Sequence, residues 1–323
     1  MKKRNYGIDF LKFIAAVMIT NSHYAPLYED HNVSFATFGV QGNALFFFVS
    51  GLFLTNIQKK DGNYVRFDFW VRKKFIRLWP SLIVVAVFSN LLFSKEIGWY
   101  DFILAGDFWF VRCFIVSFSI IYFLIKYLDK YLIQMLFFSI FLTSLYIYLS
   151  PKTGKSIFHE FHYIIYFSSM LLGSYIGRSR KNITGTNLLI DLIFCVISFI
   201  LYFIVMYFGK GKVDNWYYIQ LLAVFPLLSF LYYSYKIVNY QWCNTLANYK
   251  IWFFVSIISA LTYEIYLVQF IVITDVFNYW YPFNTIIVFT LILSAAYVLR
   301  IATNFFLQLF SNKNWSVEQT FYL

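Results

Sequence analysis

The first candidate for chemistry is an apolar stretch near the start of the chain that carries three ionisable side chains. Residues 7–24 read GIDFLKFIAAVMITNSHY and contain Asp9, Lys12 and His23. An ionisable group inside a membrane-spanning helix costs at least a few kcal/mol, so it usually faces the protein interior and marks a functional pathway. Lys12 and His23 are eleven residues apart, almost three helical turns, so both point to one side about 16 Å apart. Asp9 lies one turn before Lys12 on nearly the same stripe.

The residue types on this stripe suit proton transfer beside an anion. Histidine is the side chain best suited to take a proton from a hydroxyl near neutral pH, and a buried lysine offers a fixed positive charge. Taken singly, Lys12 could snorkel to the inner interface and His23 could sit in the outer interface. Their shared face favours a functional pair over these two separate roles.

A second cluster lies in KFIRLWP, residues 74–80, where Lys74 and Arg77 are one helical turn apart. Both can therefore reach one phosphate-bearing ligand. The alternative is the ordinary positive flank of a membrane span. We interpret the basic, aromatic segment before it, residues 58–74, as an interfacial loop that binds lipid headgroups.

A third cluster, DFWFVR at residues 107–112, puts Trp109 and Arg112 in a predicted span. An arginine at this depth is a candidate functional residue. The alternative is an internal ion pair that only holds helices together. The carboxylates available to Arg112 are those of Asp9, Asp107 and Glu264.

A fourth cluster, TYEIYLVQ at residues 262–269, puts Glu264 near the middle of the membrane and Gln269 at a depth comparable to that of His23. Both are candidates for substrate binding. Glu264 could equally pair with Lys12 or Arg112 for structure alone. No HExxH, HxxxH or GxSxG pattern occurs, so the sequence predicts no metal site and no serine hydrolase elbow.

The composition identifies the setting of these clusters as a lipid bilayer. Hydrophobic residues make up 61% of the chain, charged residues 13%, and the mean hydropathy is +0.65, values typical of polytopic membrane proteins. The net charge of +11 does not require nucleic acid, because 19 of the 26 Lys and Arg residues fall in segments on the N-terminal side of the membrane and 5 on the other side. Only Lys12 and Arg112 remain in spans, so the positive-inside rule puts the N-terminus in the cytoplasm.

A spanning helix needs about 20 mostly apolar residues, and ten stretches meet this requirement. We therefore predict an all-α polytopic membrane protein, a bundle of about ten transmembrane helices, with both termini cytoplasmic and residues 1–323 forming one membrane-embedded domain. The fourth, ninth and tenth spans could tilt or break. The predicted spans are 7–25, 40–57, 75–94, 100–124, 131–150, 160–177, 188–209, 216–235, 250–274 and 284–310.

Four motifs, taken in order, resemble those of the acyltransferase-3 family of integral membrane O-acyltransferases. They cover nearly the whole chain, and the Trp-Phe pair at 109–110 also looks like an element of that family. Two residues depart from the family pattern. Gln269 stands where many members have histidine. Lys74 stands where the family often has arginine, and a lysine keeps the positive charge but loses the bidentate geometry of a guanidinium group. The motifs are GIDFLKFIAA with His23, FFFVSGLFL at 46–54, KFIRLWP at 74–80 and YEIYL at 263–267.

The resemblance implies an acyl-CoA donor, in most members acetyl-CoA, and a hydroxyl of an extracytoplasmic or lipid-linked surface glycan as acceptor. It also implies a multi-pass protein of the cytoplasmic membrane of a bacterium. The motifs and the charge distribution described above call for no metal and no nucleic acid. A homo-oligomer is left open. The expected roles are a general base for His23, orientation of Lys12 by Asp9, donor phosphate binding by Lys12, Lys74 and Arg77, and substrate binding by Trp109, Arg112, Glu264 and Gln269.

Two other classes of polytopic protein remain as alternatives. A polysaccharide flippase or transporter also buries charges, but it should show inverted repeats or paired broken helices, which the sequence lacks. A surface-glycan polymerase normally needs a sizeable outer loop, and the predicted outer loops here are short. A purely structural role leaves the buried Asp, Lys, Arg and Glu residues unexplained.

Overall fold

The structure, a computed structural model, describes residues 5–54, 57, 63–93, 108–179, 187–309, 316 and 320–321. Asp107 and residues 58–62 of the basic segment lie outside the described residues. The described chain is built from helices joined by turns and short 3-10 helices. The α-helices are α1 Tyr6–Ser22, α2 Gly39–Leu54, α3 Phe67–Phe93, α4 Trp109–Leu128, α5 Leu132–Leu149, α6 Ile157–Glu160, α7 His162–Arg178, α8 Leu188–Gly209, α9 Val224–Val238, α10 Gln241–Leu246, α11 Ile251–Ala260, α12 Thr262–Val272 and α13 Phe283–Leu309.

Helix α8 illustrates how the sequence specifies these segments. Asn187 caps its start, because its side-chain oxygen accepts from the backbone N–H of Leu189 at 2.9 Å, which satisfies a donor that a helix end leaves unpaired. The helix then runs for 22 residues, a length of roughly 33 Å at 1.5 Å per residue. That length crosses the hydrocarbon core of a bilayer.

Large apolar side chains cover the outer surface of several helices. On α8, Phe194, Ile197, Ile200 and Ile204 are each 45–51% exposed, and α5 shows the same pattern with Phe137 and others. Contiguous apolar surface of this extent is not stable in water, so it faces lipid. In the part of the chain that the structure describes, five helical segments are long and apolar enough to cross a membrane, or six with the bent pair α11–α12. The chain is therefore a multi-pass membrane protein.

The helices overlap all ten predicted spans, although the number of true crossings stays a prediction. Helices α1 and α7 have 17 residues each, near the lower limit for a span. The ninth predicted span does break, because α11 and α12 meet at a 79° bend. The interpretation of residues 58–74 as a loop was wrong for its second half, since α3 begins at Phe67 and carries the basic residues on its first turns.

The chain divides into two compact units. The first consists of Met1–Leu11, Asn43–Val65 and Cys113–Lys250, and the second of Lys12–Gly42, Arg66–Arg112 and Ile251–Leu323. In the first unit, α8 packs along α9 and α5 packs along α7. Buried Asp191 of α8 forms an ion pair with Lys236 of α9 and accepts a hydrogen bond from the Tyr240 hydroxyl at 2.8 Å.

The FFFVSGLFL motif forms a backbone-to-backbone contact in the first unit. A Cβ atom added to Gly51 would lie 2.1 Å from the Met170 carbonyl oxygen, and one added to Gly173 would lie 2.0 Å from the Phe48 carbonyl oxygen. Ser174 donates to the Gly51 carbonyl at 3.2 Å. Small residues allow such close approach between membrane helices, so this motif holds α2 against α7.

The second unit is built on α3, α12 and α13. Helix α13 packs against both α12 and α3, and the hydroxyl groups of Ser81 and Thr303 lie 3.1 Å apart between α3 and α13. The Tyr263 hydroxyl of α12 donates to the Leu78 carbonyl of α3 at 3.0 Å. This arrangement fixes α12, the second half of the broken span, beside the basic segment of α3.

Candidate functional site

The stripe predicted on the first span lies on one continuous helix. Helix α1 runs without interruption from Tyr6 to Ser22, and His23 follows with its backbone N–H bonded to the Thr20 carbonyl at 3.0 Å. Lys12 and His23 therefore keep the helical spacing of about 16 Å on one side. Both belong to the second unit, whereas Asp9, one turn earlier, belongs to the first. Asp9, Lys12 and His23 are all partly buried.

The ring of His23 packs against α12. It meets the ring of Phe270 edge-on, with centroids 4.7 Å apart and an interplanar angle of 69°. Phe270 follows directly after Gln269, whose side chain is 0% exposed. Neither amide atom of Gln269 has a hydrogen-bond partner among the residues that the structure describes. The second unit thus brings His23 and Gln269 to one level, as their similar predicted depths suggested.

Glu264 lies buried on α12, five residues before Gln269. Its carboxylate pairs with Arg300 of α13, with Oε1 to Nε and Oε2 to Nη2 distances of 2.8 Å each. The same guanidinium donates from Nη2 to the Ala260 carbonyl at 2.8 Å. Arg300 therefore holds the end of α11 and the start of α12 on either side of the 79° bend.

Arg300 was not among the predicted site residues, because it was counted among the cytoplasmic cations at the end of the last span. The signal was present in the sequence. Arg300 stands in YVLRIAT, an apolar segment, and an ionisable residue in such a segment predicts a partner at membrane depth. The partners considered for Glu264 were Lys12 and Arg112, whereas its ion pair in the structure is with Arg300.

The start of α4 also packs on α12. Phe110 lies 4.6 Å from Tyr266 between ring centroids, and Phe108 contacts the rings of both Tyr266 and Phe270. Trp109 and Arg112, both partly buried, lie in the same first turn of α4. The predicted substrate-binding residues of α4 and α12 are therefore on elements that contact each other.

Lys74 and Arg77 lie one turn apart on α3, as predicted. Lys74 is half-buried, and its Nζ lies 5.7 Å from the centre of the Trp70 ring, a cation–π distance. Arg77 is exposed and lies within electrostatic range of Glu264. The two residues thus form a basic patch on α3 at the level where α12 begins, since Tyr263 bonds to Leu78.

A groove of about 460 Å³ opens on another face of α1. Its lining from α1 comes from Val17, Met18 and Asn21, which lie nearly opposite Lys12 and His23 on the helix, so the groove contains none of the candidate catalytic residues. Burial and the neighbouring Tyr281 raise the pKa of the Tyr28 hydroxyl, which donates to Asn21 Oδ1 at 2.9 Å. The other lining residues are Phe35, Phe38 and Tyr281.

Among the residues that the structure describes, no three His, Cys, Asp or Glu side chains lie close enough together to hold a metal ion. The second unit contains eight of the nine candidate site residues, and Asp9 is the exception. The elements that carry them are α1, α3, α4 and α12. This set offers a histidine, several cations and a buried amide, which suits transfer of a group from an anionic donor to a hydroxyl.

Comparison with known proteins agrees with this chemistry. Residues 5–304 match the model of the acyltransferase-3 family, which is described as an acyltransferase domain. No curated protein and no solved structure matches the chain significantly. The match covers α1 to most of α13 and includes every candidate site residue. The chain therefore belongs to the acyltransferase-3 family, and the protein is a multi-pass membrane acyltransferase.

Proposed function

We propose that this acyltransferase moves an acetyl group from cytoplasmic acetyl-CoA to a hydroxyl of an extracytoplasmic or lipid-linked glycan, in the cytoplasmic membrane of a bacterium. The observation that carries the proposal is the continuous helix α1, which carries Lys12 and is followed directly by His23, on the same side and about 16 Å away. With the N-terminus in the cytoplasm, Lys12 lies toward the donor and His23 toward the acceptor. One helix face then connects the two substrates.

The donor is held by the basic groups of α1 and α3. Lys12, Lys74 and Arg77 bind the phosphates of CoA, since guanidinium and ammonium groups form strong charge-assisted hydrogen bonds with phosphate. The exposure of Arg77 and its one-turn spacing from Lys74 support this role. Asp9 orients Lys12 from the preceding turn of α1.

The transfer step uses His23 as a general base. The imidazole takes the proton of the acceptor hydroxyl as that oxygen attacks the thioester carbonyl carbon. The carbon–sulfur bond then breaks, the new ester forms, and the CoA thiolate takes the proton back from His23. Arg112 stabilises the negative charge that develops on the carbonyl oxygen, while Trp109, Glu264 and Gln269 contribute to the sugar site.

The test compares surface glycans from cells with and without the gene by mass spectrometry. We expect the loss of a mass equal to one acetyl group per modified sugar, restored by the wild-type gene but not by His23→Ala or Lys12→Ala. His159→Ala is the matched control, because His159 is an exposed histidine and its backbone carbonyl, not its ring, accepts the hydrogen bond from His162. Wild-type acetylation in both His23→Ala and Lys12→Ala, at normal protein levels, would refute the assignment.

A further inference from the structure

Three uncharged polar side chains of the second unit are buried without full hydrogen bonding. Thr20 is 1% exposed, Gln41 2% and Gln269 0%. Within the described part of the chain, the atoms without a hydrogen-bond partner are Oγ1 of Thr20, Nε2 of Gln41, and both Nε2 and Oε1 of Gln269. Buried polar groups in proteins are nearly always paired, because each unpaired one loses its hydration without compensation. Three such groups in one unit indicate that something else satisfies them.

The three side chains lie at the level of His23 along α1. Thr20 is in the last turn of α1 before His23, and Gln269 precedes Phe270, which touches the His23 ring. Gln41 lies between Gly39, which faces Ser22, and Gly42, which faces Met18 and Ile19. Helices α1, α2 and α12 therefore each carry one of these side chains at the level of His23 along α1.

A buried glutamine elsewhere in the chain shows the usual arrangement. Gln220 of the first unit is also 0% exposed. Its Oε1 accepts from the Ile157 N–H at 3.2 Å, and its Nε2 donates to the Lys155 and Gly209 carbonyls at 3.4 and 3.2 Å. Gln220 is a structural side chain with its partners in place, whereas Gln269 is equally buried and has no hydrogen-bond partner in the described ranges.

We propose that Thr20, Gln41 and Gln269 form an acceptor subsite that hydrogen-bonds the uncharged hydroxyl and acetamido groups of a sugar ring and orients one hydroxyl toward His23. This inference rests on the function proposed above. Amide and hydroxyl side chains supply both donors and acceptors without charge, which matches sugar hydroxyls. Carboxylate and phosphate groups form stronger hydrogen bonds with cationic side chains than with neutral ones. Because all three side chains here are neutral, the subsite suits an uncharged sugar better than an acidic one.

The proposal predicts opposite effects on stability and on acceptor binding. Gln269→Leu and Thr20→Val remove unpaired polar atoms and keep the volume similar, so the melting temperature of the purified protein should stay the same or rise. Each lost hydrogen bond to the acceptor should raise its KM about tenfold, while the KM for acetyl-CoA stays unchanged. A merely structural role would not separate the two KM values.

Gln220→Leu is the matched control. It should lower the melting temperature, because Ile157 N–H and two carbonyls lose their partner, yet leave both KM values unchanged. If Gln220→Leu does not fold, Thr303→Val serves instead, because Thr303 is a buried threonine whose hydroxyl has a partner, Ser81. Both controls change a buried polar group outside the proposed subsite.

Binding is measured with the full chain in nanodiscs, using methyl N-acetylglucosaminide as the neutral probe and methyl glucuronide as the charged probe. We expect the neutral probe to raise the melting temperature of the wild type but not of Gln269→Leu, and the charged probe to have the smaller effect. Three results would overturn the subsite even if acetyl transfer occurs. The neutral probe could raise the melting temperature of Gln269→Leu as much as that of the wild type, it could leave the wild type unchanged, or the glucuronide could give the larger rise. If the neutral probe raises the melting temperature as expected but no acetyl-CoA-dependent transfer occurs, the proposed function is overturned and the subsite is not.

Discussion

At the scale of single residues, Glu264 shows how a buried charge is compensated at membrane depth. Its carboxylate is 5% exposed and is paired with Arg300, whose guanidinium also binds the Ala260 carbonyl. Removing one member of such a pair leaves the other charge unpaired in a medium of low dielectric constant. Arg300 is therefore a positioning residue that keeps α12, and with it Gln269, in place.

We predict that Arg300→Met destabilises the protein by about 3–5 kcal/mol, the usual cost of breaking a buried ion pair. The double variant Glu264→Gln/Arg300→Met should recover part of this loss, because it removes the uncompensated charge. Thermal unfolding in detergent measures both variants. A double variant that is less stable than Arg300→Met alone would contradict the ion-pair account.

Single-residue reasoning identified Glu264, Gln269, Lys12 and His23 as unusual in an apolar chain, but it could not find every partner. The pairing of Glu264 with Arg300 joins residues 36 positions apart and depends on the bend between α11 and α12. Thr20 and Gln41 were missed for another reason. A threonine or glutamine is common in membrane helices, and only the structure shows whether its polar atoms have partners.

At the scale of elements, the close contact between α2 and α7 is the most sharply defined packing feature of the first unit. Both glycines in it approach a carbonyl oxygen so closely that no Cβ fits. We predict that Gly173→Ala forces the helices apart and lowers the free energy of unfolding by about 3 kcal/mol. This is the upper end of the range typical of overpacked cores.

The control for this contact is Ser174→Ala on the same helix. It removes only the hydrogen bonds of the Ser174 hydroxyl to the Gly51 and Met170 carbonyls and should cost about 1 kcal/mol. Chemical denaturation of the two purified variants gives the comparison. Equal stability of Gly173→Ala and the wild type would show that the helices can separate at no cost.

Sequence patterns predicted the helical elements well and their ends less well. A run of apolar residues without a breaker predicts a helix directly, and α8 matches its predicted span of 188–209. The start of α3 was missed because Arg72, Lys73 and Lys74 suggested an interfacial loop that binds lipid headgroups. Charged side chains are compatible with a helix that begins at the interface, so charge alone does not mark its boundary.

At the scale of the whole molecule, the positive-inside count predicts a direction for α1, with Lys12 toward the cytoplasm and His23 away from it. The family match and the apolar outer surfaces establish a membrane acyltransferase. The donor, the acceptor and the orientation of the chain in the membrane belong to the proposal. They concern substrates on the two sides of the membrane, which the internal packing of the chain does not identify.

The central claim is that one face of α1 serves the donor at Lys12 and the acceptor at His23. The most direct measurement is acetyl-CoA binding and acetyl transfer by the same purified protein in nanodiscs, for the wild type, Lys12→Ala and His23→Ala. We predict that Lys12→Ala weakens acetyl-CoA binding at least tenfold, whereas His23→Ala binds acetyl-CoA like the wild type and loses transfer by at least a hundredfold, the typical contribution of a general base. Transfer at the wild-type rate by His23→Ala, or unchanged acetyl-CoA binding by Lys12→Ala, would contradict this account.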